Sequence, residues 1–449
     1  MTAVAARRPL AWTRTESPQE DAFAGVVGGA AILLAGPPPA EGAEDLDSHM
    51  QRLGTLAPAL GNLDAFLQAV VDSGLQGRGG AGFPVAAKMA AIAAIGRQPL
   101  LVVNGSESEP ASRKDWTLLC LRPHLVLDGA ALGAAAVGAD TAVLQLHRGS
   151  VGPAAALRRA LEQRRVAGLA DPAFQIRFGP NRYVAGESSA VRAFLAGSAA
   201  KPSPGGGHAA GRGQPVLVQN VESVALLGLI GRHGPDWFRQ LGTLTSPGPS
   251  LVTLVGAVGW PGRVVEVARP VPLSQLLSQW AGITRAPQAV LFGGYAGSWA
   301  DGRQAWDLDI SRDALAGAGL TFGCGMVGVL PWDACGLAET ARILEYLAGE
   351  SSGQCGPCMF GLPGLARAMT GLARGSASAG DLRRLARMST ELTGRGGCHH
   401  PDGAVALLEH ALTVFSDDVS HHLRRGRCDR AQRTPVFPIP TPDAESSWR

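Results

Sequence analysis

The chain has 449 residues, more than one hydrophobic core usually organises, so two to four domains are expected. Its formal charge of +3, with Lys and Arg spread among acids, excludes the strong basic field of a nucleic-acid binder. Hydrophobic residues make up 46%, aromatics only 5%, and 60 residues are glycine, which points to an interior of Ala, Val and Leu with close backbone approaches.

Seven cysteines are an odd count, and no secretion-type flank precedes them, so free or metal-bound thiols in a reducing cytoplasm are expected over a disulfide framework. Residues 1–60 carry Pro and Gly clusters, including Pro37 to Pro39, and no convincing period; they read as a loosely structured lead-in. The apolar run from Ala22 to Leu34 is too short to span a bilayer and reads as a buried strand or helix.

From Leu63 the apolar positions Leu63, Phe66, Leu67, Val70 and Val71 have helical spacing and run into a glycine cluster at Gly74 to Gly82. Beyond it the chain alternates: helix at Val85 to Ile95, strand at Leu100 to Val103, helix from Leu125, strand at Ala142 to Leu146, another helix, then strands near Phe174 to Phe178 and Val216 to Val218. That alternation predicts a helix-covered, largely parallel sheet over residues 61–242. Two β-rich runs, Leu251 to Val258 and Val264 to Ala268, a helix at Leu273 to Trp280 and a strand at Ala289 to Phe292 predict a small β-grasp-like module over 243–320. Helices dominate 321–428. The last is read as a stripe of Val405, Leu408, Leu412, Phe415 and Val419 capped by Asp402, and residues 429–449 are read as a tail.

Gly77, Gly79 and Gly82 satisfy G-x-G-x-x-G, which lets backbone N–H groups approach a phosphate at a helix N-terminus. A helix, not a strand, leads into this loop, so it is not the ordinary dinucleotide fingerprint, and a glycine-rich turn without a ligand is the competing reading. Three further segments place polar groups after extended runs: N-G-S-E-S-E-P from Asn104, Y-V-A-G-E-S-S-A from Tyr183, and V-Q-N-V-E-S from Val218. Taken singly, each also reads as loop polars and helix caps.

Together these motifs resemble the NADH-binding flavoprotein subunit of respiratory complex I, whose relatives occur in NAD-linked hydrogenases and formate dehydrogenases. G-L-Q-G-R-G-G-A-G-F-P with Lys88 looks like that family's flavin loop. N-G-S-E-S-E-P looks like its N-A-D-E-x-E-P, and Ala185 to Ser189 looks like its C-G-E-E-T. The run V-G-A-V-G-W-P-G-R-V-V-E-V with Gly293 and Gly294 is similar to its soluble-ligand-binding β-grasp domain. The resemblance covers about residues 60–425 and implies an α/β fold: a Rossmann-like FMN and NAD(P)H domain, a β-grasp module and a C-terminal four-helix iron-sulfur bundle.

Carried onto this sequence, the resemblance implies that Gly77, Arg78, Gly79, Gly80, Gly82 and Lys88 hold FMN on one side. Asn104, Ser106, Glu107, Gln219, Asn220 and Ser223 hold its ribityl-phosphate and ring, Phe83 stacks on the adenine of NADH, and Gly186, Glu187 and Ser188 border the nicotinamide cofactor. Glu109 lies near the nicotinamide end and is the one catalytic candidate. Ser106 stands for an expected Asp, Ser188 for Glu and Gln219 for Asn, while Met89, Ala90 and Ala91 offer no second aromatic. The loss of a carboxylate at Ser188 implies that NADPH is tolerated beside NADH.

Cys355 and Cys358 form C-x-x-C, and Cys398 follows in G-R-G-G-C-H-H-P-D. The family ligates a 4Fe-4S cluster with C-x-x-C-x-x-C and a distant Cys; Ser352 occupies the position of its first Cys. The resemblance thus implies a 4Fe-4S cluster with one non-Cys ligand, or a 3Fe-4S cluster. Structural zinc on Cys355, Cys358, Cys398 and His399 or His400 is an alternative, as are metal-free thiols. Cys324 and Cys335 stand upstream as core thiols or as substitutes for the missing ligand.

These features describe a cytoplasmic electron-input NAD(P)H dehydrogenase that is not membrane-spanning, binds no nucleic acid, and passes electrons to a ferredoxin-like or thioredoxin-fold iron-sulfur protein, within a larger redox complex. The rivals are a non-catalytic scaffold of the same fold and a cofactor-binding assembly protein. Arg424, Arg425, Arg427, Arg430 and Arg433 read either as a docking patch for an acidic ferredoxin or as a solvated helix end.

Overall fold

In the structure, a computed structural model describing residues 24–203, 213–440 and 448, the first described element is strand β1 (Ala24–Val27). It pairs in parallel with residues 264–267, more than two hundred positions away. The loop after it turns the N–H groups of Ile32, Leu33 and Leu34 onto the buried Glu266 carboxylate at 2.9–3.1 Å. Helix Leu46–Leu53, capped by Asp45, places His49 between Glu44 and Asp128. Residues 24–60 are therefore built into the fold instead of forming the loose stretch read from sequence. Their order comes from distant partners, which leave no local period. Residues 1–23 of that stretch lie outside the described residues, as do 441–447 and 449 of the tail.

The alternating region folds as expected. Strands β2 (Leu100–Gly105), β3 (Thr141–His147), β4 (Ala173–Gly179) and β5 (Val216–Asn220) form an all-parallel sheet ordered β4-β3-β2-β5. Helices Pro123–Val137 and Val221–Arg239 cross so closely that a Cβ on Gly129 would lie 1.7 Å from the Val224 carbonyl oxygen, so only glycine fits there. The sequence reading missed helix Lys114–Leu121, which is buried on every side and so shows no amphipathic period.

The second sheet is mixed. Its further strands are β6 (Ser250–Gly256), β7 (Arg263–Val267), β8 (Ala289–Phe292), β9 (Ser298–Asp301) and β10 (Met326–Leu330), in the order β1-β7-β6-β10-β8-β9. The β6-β7 hairpin, helix Leu273–Trp280, the β8-β9 hairpin and β10 inserted parallel to β6 make a β-grasp extended by β1. β10 lies past residue 320, where sequence reading ended the module. One face packs Val252, Leu254 and Val265 under Leu276 and Leu277. The other, through Leu291, Trp299 and Met326, shares a core with the C-terminal helices.

Those helices are Gly336–Gly349, Leu362–Ala373, Ala379–Leu392 and His400–Val414, followed by the short Ser416–Arg425. Asp402 is not an N-cap. His399 holds that position, and Asp402 lies in the first turn, accepting from Gly394 N–H at 2.8 Å. The apolar stripe read as one helix is split at Phe415 between two. Among the described residues, no single helix is long and apolar enough to cross a membrane.

Candidate functional site

In the parallel sheet the chain runs from β2 through β3 to β4, then returns to place β5 on the other side of β2. The strand order therefore reverses between β2 and β5, and the carboxyl ends of these two strands are the place where open α/β sheets form a ligand crevice. Asn104 and Asn220 are register partners at this edge. All four polar motifs meet here. A Cβ built on Gly79 would lie 3.3 Å from Asn220 Cβ, and Arg78 N–H donates to Ser223 Oγ at 2.8 Å. Asn104 donates through Nδ2 to the Gly186 carbonyl at 2.8 Å, and Lys88 Nζ donates to the Val218 carbonyl at 2.5 Å.

The glycine loop folds back on itself: Gly77 N–H donates to Phe83 O at 2.9 Å, leaving Phe83 54% exposed at the rim. Gly80 has φ of +114° and nothing within 4 Å of a built Cβ, so its backbone faces open space, and Gly82 is also left-handed at +67°. Arg78 is buried and donates to Pro247 O at 2.8 Å, while its Nε and Nη1 have no hydrogen-bond partner in the protein. Gln219 Nε2 is likewise buried without a partner. Burial lowers the Arg78 guanidinium to about 10 and the Lys88 ammonium to about 8. Unpartnered buried donors beside an open glycine backbone are the environment that an anionic, carbonyl-bearing ligand satisfies, so the donor set fits FMN.

Several candidates are engaged by the protein itself. Glu107, the non-glycine residue with positive φ (+31°), accepts from Ser112 Oγ and from the N–H groups of Asp115 and Trp116 at 2.8–3.0 Å, holding the start of helix Lys114–Leu121. Asn220 accepts from Glu222 N–H at 3.0 Å and Lys114 Nζ at 3.2 Å, and donates to Asp115 at 2.6 Å. Glu187 caps helix Ser188–Leu195 through the N–H groups of Ser189 and Ala190. Ser106 is buried, and its N–H donates to Asn104 Oδ1 at 3.3 Å.

Sequence reasoning missed Lys114, Asp115 and Arg312. Lys114 Nζ bridges Asp115 at 2.7 Å and Glu222 at 3.0 Å; burial alone would depress its pKa, but those two carboxylates outweigh it and raise it. Arg312 reaches from the β-grasp module to the Gly77 and Gly80 carbonyls at 3.4 Å. Lys114 and Asp115 follow directly on the acidic motif, which was a usable signal; no local pattern marks Arg312.

Glu109 is buried between the two sheets. Its Oε2 accepts from Tyr295 N–H at 2.9 Å and from the Tyr183 hydroxyl at 3.2 Å, and a Cβ on Gly294 would come within 2.5 Å of it. Burial pushes its carboxyl up to about 7 against the pull of these donors. Tyr183 continues toward the helices, its ring centroid 5.4 Å from that of His400.

Cys355, Cys358 and Cys398 come together with Ser352, Gly397, Pro202 and Gln354 around a small depression. Cys358 lies on a π-helical turn, Pro357–Gly361, and Cys398 immediately precedes helix His400–Val414, whose N-terminus favours negative charge. Gly397 N–H donates to Cys355 Sγ at 3.5 Å. Three convergent thiols with backbone donors fit a thiolate-ligated cluster. The histidines face elsewhere: His400 Nε2 bonds the Leu347 carbonyl at 2.8 Å, and exposed His399 pairs with Asp402. Cys324 and Cys335 do not line the depression. Cys324 donates to Gly293 O, and Cys335 sits beside His422. In the basic tail, Arg430 pairs with Asp418 and Arg433 with Asp333, so part of that charge is neutralised.

Residues 70–228 match the Nuo51 FMN-binding domain, and residues 338–422 match the NADH-ubiquinone oxidoreductase-F iron-sulfur binding region. The second F subunit of NADH-quinone oxidoreductase from Rhizobium meliloti (strain 1021) is 31% identical over 83% of this chain and 92% of its own length. The corresponding F subunit of Mycobacterium bovis is 31% identical over 84% of this chain and 88% of its own. Among solved structures, an NAD+-reducing nickel–iron hydrogenase in the H2-reduced state superposes with a TM-score of 0.73 at 28% identity, covering 82% of this chain and 64% of that one. With both site-bearing regions matched and the two oxidoreductase relatives covered nearly end to end, the chain belongs to the family of NADH-quinone oxidoreductase F subunits.

Proposed function

We propose that the chain is an NADH-oxidising electron-input subunit: hydride passes from NADH to FMN in the β2/β5 crevice, and electrons leave singly through an iron-sulfur cluster on Cys355, Cys358 and Cys398. The observation that carries this reading is the contact line from Glu109 through Tyr183 to His400, two residues from Cys398, which joins the two sites inside one fold. A scaffold that had lost its redox role would have no need to keep both ends.

In this reading FMN supplies the hydride acceptor and the change from two-electron to one-electron transfer. The chain's own residues position it. Gly79 and Gly80 offer backbone to the phosphate, Gln219 Nε2 donates to the flavin, and Arg78 and Lys88 balance its charge. Asn104, Glu107 and Asn220 hold the crevice in shape by binding Gly186 and the start of helix Lys114–Leu121. Phe83 offers an exposed face to the adenine. Glu109, its carboxyl raised to about 7 by burial against the donors Tyr295 N–H and Tyr183 hydroxyl, would meet the nicotinamide end partly protonated at neutral pH.

Ser352 lines the same depression and would be the fourth ligand offered to a cluster held by the three thiols; a Ser alkoxide is a hard, strongly basic ligand for iron, so such a cluster would be labile at that corner and would pass between 4Fe-4S and 3Fe-4S forms. Met359 and Phe360, 55% and 73% exposed beside Cys358, supply an apolar landing surface for an iron-sulfur partner within a larger cytoplasmic redox assembly. The test is flavin loading: the full chain incubated with FMN should retain it through desalting, and anaerobic NADH should bleach its visible absorption. A chain that retains no flavin after reconstitution contradicts the reading.

A further inference from the structure

Three ligating side chains that neither site uses meet elsewhere in the helical domain. The Sγ atoms of Cys335 and Cys428 and an imidazole nitrogen of His422 lie within 4.8 Å of one another, with Cys335 Sγ 3.8 Å from His422 Nε2. They come from distant points: Cys335 from the residue before helix Gly336–Gly349, His422 from the final helix, and Cys428 from the segment beyond it.

We propose that Cys335, His422 and Cys428 form a second metal centre, a Zn2+ site that fastens the segment after the final helix onto the helical domain. The imidazole is already set for the task. His422 Nδ1 donates to the Leu372 carbonyl at 3.0 Å, and the backbone N–H of Cys428 donates toward Nε2 at 3.4 Å. Both bonds require the tautomer with its proton on Nδ1; the Nε2 lone pair accepts from the Cys428 N–H, a weak bond that an ion on Nε2 would replace, and it lies 3.8 Å from Cys335 Sγ. An imidazole that donates its other nitrogen to a backbone carbonyl is the usual orienting arrangement for a metal-ligating histidine.

The donor set selects the ion. Two thiolates and one imidazole suit zinc, whose ligand atoms in a tetrahedral site lie about 3.5–3.8 Å apart, so the widest separation here has to close by about 1 Å. Cys335 stands at the N-cap position of its helix, where burial pushes the thiol up despite the backbone donor of Ala338, so in the metal-free chain it is held as a thiol. His422 and Cys335 are 1% and 2% exposed and Cys428 is half-buried as a residue, so the three ligand atoms meet in a largely buried position. Binding replaces two thiol protons, which leave to solvent, and involves no redox change.

The position explains what the ion does. Helix Ser416–Arg425 buries only Val419 and His422, and the chain then turns at Gly426 and crosses Gly375 so closely that a Cβ there would lie 2.2 Å from Arg427 N. No residue from Gly426 to Val436 is fully buried, and the chain is anchored again only where Phe437 enters the core, so a three-ligand staple would hold the stretch between. No ligand is shared with the Ser352, Cys355, Cys358 and Cys398 depression, so the two centres are separable.

The experiment is elemental analysis of the full chain purified without oxygen, compared with Cys428→Ser and Cys355→Ser, alongside titration of the chelator-treated parent with Co2+. One zinc ion per chain is expected in the parent and in Cys355→Ser, and none in Cys428→Ser. Added Co2+ should give tetrahedral d–d bands and thiolate charge-transfer absorption, an outcome readable in the parent even if the variant fails to fold. Zinc retained in Cys428→Ser, a parent that binds neither Zn2+ nor Co2+, or a Cys335–Cys428 disulfide found by peptide mapping of the oxygen-free parent would each overturn the proposal.

Discussion

The Tyr183 hydroxyl donates to Glu109 Oε2 at 3.2 Å, tying the crevice carboxylate to the aromatic contact that leads to His400 and the thiol site. This bond stabilises the charged form of Glu109 against the larger opposing effect of burial. Tyr183→Phe should therefore raise the Glu109 pKa further and move the pH profile of NADH oxidation to higher pH. Steady-state kinetics across pH 5–9 reads the shift, and Glu109→Gln should flatten that limb of the profile altogether.

The same carboxylate affects stability. With a folded-state pKa of about 7 against an ordinary value of 4.5, the folded chain holds a proton that the unfolded chain has released between those values. Its contribution is full below pH 4.5 and is lost as pH rises toward 7, on the order of 1–3 kcal/mol. Glu266 titrates in the same window for the same reason. Glu109→Gln should remove only its own share of the fall in thermal midpoint between pH 5 and 7.5; an unchanged slope would show that Glu109 does not hold the proton.

Lys114 is the charge that balances Asp115 and Glu222 in the interior. Lys114→Met leaves two buried carboxylates uncompensated and should cost about 3–5 kcal/mol. Adding Asp115→Asn should recover part of that loss, and urea unfolding of the single and double variants measures the recovery.

How much of this was legible in sequence depends on where each signal sits. The β2 to β5 alternation was readable because each strand carries its own apolar run between helices. The crevice motifs were readable because each follows a strand end. That Cys355, Cys358 and Cys398 belong together was readable from spacing and resemblance, and they line one depression. Helix Lys114–Leu121 was hidden by burial on all sides, and β1 by its dependence on a strand over two hundred residues away. Arg312, and the meeting of Cys335 with His422 and Cys428, arise from tertiary placement alone. Asp402 had the chemistry of an N-cap, yet the helix begins two residues earlier with Pro401 in its first turn, a position that suits proline because the missing N–H is not needed there.

Ser188 begins the helix that Glu187 caps, one turn before Arg192. On the proposed placement of the nicotinamide cofactor, a carboxylate at this position would oppose a 2′-phosphate, so its absence should leave NADPH acceptable. Ser188→Glu should lower the NADPH to NADH ratio of kcat/KM by about tenfold, or ~1.4 kcal/mol. Strong rejection of NADPH by the parent would contradict the argument.

Gly79 approaches Asn220 closely enough that an added methyl needs only a small shift, whereas a branched side chain has no room. Gly79→Ala should retain part of the flavin and Gly79→Val none, and flavin-free Gly79→Val should also melt below the flavin-free parent. The flavin-to-protein absorbance ratio after desalting distinguishes them.

The central claim is that electrons from NADH reach the cysteine site through the flavin. The direct measurement is anaerobic titration of the full chain, loaded with FMN, iron and sulfide, with NADH, followed by visible absorption and electron paramagnetic resonance together. The account predicts that flavin bleaching is accompanied by growth of a reduced iron-sulfur signal, and that both are lost in Gly79→Val. A flavin that bleaches while the cluster stays oxidised, or zinc without sulfide at Cys355, Cys358 and Cys398, would contradict it.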